Sequence, residues 1–239
     1  MDSIGKIIII LACIFFANAV QALTGFAGTT LAMPGLIIML SLTEAKTIVV
    51  TIAFFSCLWM AFQNYQYINK KQCVKITGWM LVGLLLGMEL YKRMPMDFLL
   101  TLFALVVIAI ALKNLLVTKT IRIPEFAAVL ILLCSGLLQG MFISGGALLV
   151  IYAANVLPDK KEFRATLQPV WCILNAIIMV QNYQSGLYTP QVNKCLLLSI
   201  IPVGGAIVIG NILHDKINQK LFLKATYFLL LISGILLLI

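Results

Sequence analysis

The chain has 239 residues, 62% of them hydrophobic and only 10% charged, with a net charge of +9. That balance excludes a soluble globular domain, and no polar stretch is long enough to fold apart from the rest. The basic excess sits mainly in short loops between apolar runs, so no nucleic-acid partner is implied. The charge sets topology and contacts anionic membrane lipids, or it concentrates an anionic substrate near the surface.

In chain order, the first apolar segment is expected over residues 6–23. It is taken as a retained helix and not a cleaved signal, because no A-x-A-type site follows it. The second covers 28–40. The third runs from Thr43, an N-cap candidate with Glu44 in the first turn, to Tyr67. A basic loop at 69–75 leads to a fourth segment at 76–90. A second loop ends at Asp97, with Pro95 suited to a helix start, and the fifth segment is 98–117. After a linker at 118–125 the order repeats: 125–139, 146–155, 164–184, 191–209 and 220–239. The whole of 1–239 is expected to be one all-α polytopic transporter domain, with internal repeats at about 6–117 and 125–239.

The repeat is visible in letters. Gln63-Asn-Tyr-Gln66 recurs as Gln181-Asn-Tyr-Gln184, an offset of 181 − 63 = 118. The same offset carries Gln21 onto Gln139, Gly28 onto Gly146 and Lys46 onto Arg164. Later Gly87 matches Gly210 at 123, so the second half holds about five extra residues near 185–190. Each half makes an odd number of net crossings, which makes the halves antiparallel, inverted-topology repeats. One side then holds Lys70, Lys71, Lys75, Lys119, Arg122, Lys160, Lys161, Arg164, Lys216 and Lys220. The other holds Lys6, Lys46, Lys92, Arg93 and Lys194. The richer side is expected to be cytoplasmic, with both termini outside.

Two glycine-broken stretches start the halves: Gln21 to Gly35, and Gln139 to Ala147. Each is a broken helix that crosses, or a hairpin that re-enters. A break inside lipid frees N–H and C=O groups that protein or a wet cavity must satisfy, and paired breaks point to a transporter's binding site. Helix N-termini there favour anions. Thr24, Thr29, Thr30 and Ser144 offer hydroxyls, while Gly25, Gly28, Gly145 and Gly146 let a ligand near the backbone. Close helix packing, with hydroxyls bonded to their own helices, is the competing account. Gln21 and Gln139 either donate to a ligand or cap the broken backbone. Asn64, Tyr65, Asn182 and Tyr183, in the repeated motif, either anchor at the interface or line a gate or vestibule. Lys46 and Arg164 either guide an anion or snorkel. Asn175 and Gln168 face protein or a cavity, and Pro169 bends their helix. Glu89 is a proton-coupling candidate if it lies within the membrane, or the surface partner of Arg93 four residues on. The six cysteines lack metal-ligand spacing, and a lone histidine, His214, offers no metal cluster and no triad. No cofactor, no metal and no enzymatic activity are expected.

Leu23-Thr-Gly-Phe-Ala-Gly28 with Pro34, and Phe142-Ile-Ser-Gly-Gly-Ala147 followed by Arg164-Ala-Thr166, resemble the sulfite exporter TauE/SafE family, also called the 4-toluene sulfonate uptake permease family. The resemblance implies a multi-pass plasma-membrane transporter, bacterial or archaeal, for a sulfur-containing anion such as sulfite or an organosulfonate. Export, with coupling to the proton gradient, is part of that implication, while alternating access is what the paired breaks lead us to expect. Two other readings stay open: a neutral-metabolite or drug transporter on a ten-helix plan, and a membrane assembly factor that transports nothing.

Overall fold

The computed structural model describes residues 3–116 and 123–214, with isolated positions at 216, 228, 231 and 235. The tenth expected segment, 220–239, and most of the linker at 118–125 lie outside the described residues. Among the described residues the chain forms nine α-helices and a short 3-10 turn at Tyr65–Tyr67. The helices are α1 (Ser3–Thr24), α2 (Gly28–Ile37), α3 (Leu42–Gln63), α4 (Lys70–Arg93), α5 (Met96–Leu116), α6 (Glu125–Phe142), α7 (Gly146–Val156), α8 (Lys160–Gln184) and α9 (Pro190–His214). Six of them, α1, α3, α4, α6, α8 and α9, are long and apolar enough to cross a bilayer. Large apolar side chains such as Ile201, Phe126 and Phe62 lie exposed on the outer surface, as a protein solvated by lipid tails requires.

Local chemistry moves several helix starts from their expected places. The cap of α3 is Ser41, not Thr43. Its hydroxyl accepts from the Glu44 N–H at 3.2 Å, and the Glu44 carboxylate accepts from the Ser41 N–H at 3.1 Å. The expected loop at 69–75 is the first turn and a half of α4, because the Asn69 side chain accepts from the Gln72 N–H and caps it. Asp159 does the same for the Glu162 N–H, so α8 begins at Lys160. The lysines on these first turns break the apolar pattern, which is why they resemble loop residues in the sequence.

The breaks take a form between the two expected ones. α1 and α6 are full-length, whereas α2 and α7, with 10 and 11 residues, extend only about 15 Å each. α2 doubles back along α1: Gly28 lies against Ala17 and Gln21, and Gly35 against Cys13. α7 doubles back along α6 in the same way. Gly145 lies against Ser135, and the Tyr152 hydroxyl donates to Gln72 at the start of α4 at 3.0 Å.

Three helix pairs make the main interfaces: α4 with α6, α1 with α9, and α3 with α8. The first is a glycine seam, in which Gly83 and Gly87 face Leu133 and Leu137 while Gly136 and Gly140 face Met80 and Leu84. α1 and α9 also run parallel, with Gly205 near Phe15 and Gly210 near Ala19 and Ala22. α3 and α8 run antiparallel through the middle: the Asn182 amide donates to Thr47 at 3.3 Å at one end, and the Asn69 N–H donates to Thr166 at 2.9 Å at the other.

Candidate functional site

Each break is built by a glutamine. At the first, Gly25 takes a left-handed φ of +87° and ends α1. The Gln21 side-chain oxygen accepts from the Gly28 N–H at 3.0 Å, and its amide nitrogen reaches the Gly25 carbonyl at 3.3 Å and Cys57 Sγ at 3.8 Å. The Thr24 hydroxyl donates to the Val20 carbonyl at 2.8 Å and accepts from the Ala27 N–H at 3.2 Å. At the second break Ile143 is left-handed, with a φ of +55°. The Gln139 oxygen accepts from the Gly145 N–H at 3.1 Å, and its nitrogen donates to Asn175 Oδ1 at 2.8 Å. The Ser144 hydroxyl donates to the Phe142 carbonyl at 3.0 Å. The offset of 118 relates Gly25 to Ile143, Gln21 to Gln139 and Cys57 to Asn175. In this structure both glutamines therefore cap broken backbone, and the hydroxyls of Thr24 and Ser144 are bonded to their own segments.

The breaks touch each other. Gly146 packs against the Phe26 backbone, where a Cβ would strike the Phe26 carbonyl. Gly25 packs against the backbone of Arg164, and its carbonyl accepts from the Trp171 indole at 2.9 Å. The space beside the first break is a crevice of about 20 Å³ between α1, α2 and α3, bordered by Asn18, Gln21, Gly28 and Thr29.

A larger polar pocket of about 220 Å³ opens where α3 ends, α8 begins and α9 ends. Gln63, Asn64, Tyr67, Lys161, Arg164, Asn211 and His214 line it. Arg164 is 93% buried and donates to Asn211. The His214 ring nitrogen Nδ1 donates to the Leu23 carbonyl at 2.9 Å, because a carbonyl can only accept. The pocket floor is thus tied to the first break twice, through His214 on Leu23 and Arg164 on Gly25. An apolar groove of about 760 Å³ between α3 and α9 adjoins it and shares Gln63 and Asn211.

At the opposite end buried ties join α3 to its neighbours, beside an apolar groove of about 350 Å³ bordered by Thr51, Phe55, Tyr183 and Tyr188. Lys46 is 95% buried; its ammonium donates to the Gly140 carbonyl at 2.6 Å and lies 3.8 Å from the centre of the Tyr91 ring. Tyr91 and Thr43 hydroxyls are 3.3 Å apart, and Thr51 meets Tyr188 at 2.8 Å. Burial raises the Tyr188 hydroxyl above its usual range, with the Thr51 bond pulling it back. Neither Lys46 nor Arg164 snorkels. The repeated motif divides by residue type: Asn64 borders the polar pocket and Asn182 bonds α3, whereas Tyr65 and Tyr183 are exposed as interfacial rings are. Glu89 is half exposed and held by Arg93 at 2.8 Å and Lys92 at 4.0 Å. His214, Lys161, Asn211 and Trp171 joined the site without a sequence motif. One signal existed for His214: the offset of 123 carries Tyr91 onto it.

The family model for the sulfite exporter TauE/SafE family matches residues 10–237. No curated protein and no solved structure matches the chain. The match spans both breaks and every described helix except the first seven residues of α1, so this integral, multi-pass membrane protein belongs to the sulfite exporter TauE/SafE family of transporters.

Proposed function

We propose that the protein is a secondary transporter that moves a small sulfur oxyanion or organosulfonate by alternating access between two antiparallel repeats. The observation that carries the anion is the pocket in which Lys161, Arg164 and His214 converge above the first break. The Lys161 and Arg164 cations attract an oxyanion and offer it charge-assisted hydrogen bonds, with the His214 ring beside them. Gly28 and Thr29, which border the crevice beside the first break, are the break residues best disposed to meet the anion as it moves inward. The other break residues named above serve by keeping the backbone capped. The repeat reading draws support from the pairing of helices across the halves: α1 with α9, α6 with α4, and α3 with α8. By the positive-inside rule the open pocket faces the cytoplasm, as the loading side of an exporter would.

The test is uptake of radiolabelled sulfite, sulfate and a small sulfonate into proteoliposomes, with and without a pH gradient. One of the sulfur anions should be carried. Lys161→Gln, an exposed position, should slow it several-fold at low salt and little at high salt, where screening removes the attraction. A parent that moves none of the anions, or a Lys161→Gln variant equally fast at low salt, defeats the reading.

A further inference from the structure

Lys46 lies in the second turn of α3, buried, with its ammonium on the Gly140 carbonyl and over the face of Tyr91. Among the described residues no carboxylate pairs with it. Glu44, on its own helix, is engaged in the Ser41 cap, and Glu89, on the helix of Tyr91, is held by Arg93 and Lys92. A carbonyl and a ring face compensate a buried ammonium only in part, so an apolar side chain of similar length would serve packing at lower cost. Stability alone does not account for a lysine here.

The repeat supplies a role. The offset of 118 carries Lys46 onto Arg164, and the offset of 123 carries Tyr91 onto His214. Arg164 and His214 border the open pocket beside the first break. Lys46 and Tyr91 close the matching place beside the second, since Gly140 is next to Gln139, the residue that caps it. We propose that Lys46 is a gated oxyanion contact, the opposite-face counterpart of Arg164. In the conformation described, it locks α3 to α6. When that end opens, the ammonium exchanges the Gly140 carbonyl for the transported anion. This rests on the anion-transport reading above.

Two measurements test it. The first treats the purified protein with an impermeant amine-reactive reagent and compares modification of Lys46 with that of exposed Lys92 by mass spectrometry, using methanesulfonate as the probe anion. Lys46 should react far more slowly than Lys92. Tyr91→Leu should raise its reactivity several-fold, and saturating methanesulfonate should lower it again. The second compares Lys46→Met and Lys46→Arg for thermal unfolding and anion flux. Lys46→Met should unfold no earlier than the parent yet lose roughly tenfold or more of the flux, while Lys46→Arg keeps most of it. Unchanged reactivity in Tyr91→Leu overturns the proposal, as does parental flux in Lys46→Met. Early unfolding of Lys46→Met together with an inactive Lys46→Arg also overturns it, because that pattern marks a structural tie. An active parent with an active Lys46→Met sinks this proposal alone, whereas a parent that moves no anion sinks the transport reading with it.

Discussion

At the scale of single residues, the two glutamines differ in what depends on them. Gln139 satisfies both the Gly145 N–H and Asn175 Oδ1, two buried groups with no substitute at hand. Gln21 satisfies the Gly28 N–H, but its other partner, the Gly25 carbonyl, keeps the Trp171 indole when the glutamine is gone. Each buried group left unsatisfied costs about 1–3 kcal/mol. Gln139→Leu should therefore lower the thermal midpoint in detergent more than Gln21→Leu does. Equal shifts, or the reverse order, would show that the second break finds another cap. The sequence made the glutamines visible as paired polar residues inside apolar runs. It left their role open because a side-chain amide satisfies a backbone N–H or a ligand equally well, and only the fold-back of α2 and α7 brings the backbone within reach.

At the scale of helices, the α4 and α6 seam depends on backbone contact. A Cβ at Gly83 would fall on the Leu133 carbonyl, whereas one at Gly78, on the same helix, would meet open space. Gly83→Ala should cost about 1–3 kcal/mol through overpacking, and Gly78→Ala should be neutral or slightly favourable. Thermal unfolding of the two variants side by side decides it; matched stabilities would mean the seam yields without strain. Helix existence was legible here because uninterrupted apolar runs of bilayer length have few alternatives. Helix starts were not. Asn69 and Asp159 begin α4 and α8 several residues before the apolar pattern does, since a cap acts through one hydrogen bond and leaves no periodic trace. His214 falls beyond the segment expected at 191–209: α9 continues past its last apolar stretch, and that extension carries the ring to Leu23.

At the scale of the whole molecule, the proposed arrangement fixes which turns share a side. A reporter inserted in the turn between α7 and α8, at Pro158, should read cytoplasmic. One inserted between α4 and α5, at Pro95, should read external, because the polar pocket and the Lys46 lock lie at opposite ends. The same compartment for both would exclude the antiparallel plan. The repeat reading rests on four letters that recur in register with the breaks. What the letters did not reveal is how the matched ends differ, with a polar pocket beside the first break and Lys46 buried on Gly140 beside the second, since conformation is a property of packing and not of composition.

Ile143 adds an energetic difference between the two breaks. A β-branched residue in the left-handed region costs on the order of 1–3 kcal/mol, and the matching residue of the first break is a glycine, which adopts the same region without that penalty. Two identical halves would leave the faces degenerate, with equal waiting times on either side of the membrane. Any conformation that lets Ile143 leave the left-handed region gains this energy, equivalent to roughly a 5- to 150-fold change in relative population. Under the alternating access proposed above, the difference between Gly25 and Ile143 would give the cycle a preferred resting side without any external gradient.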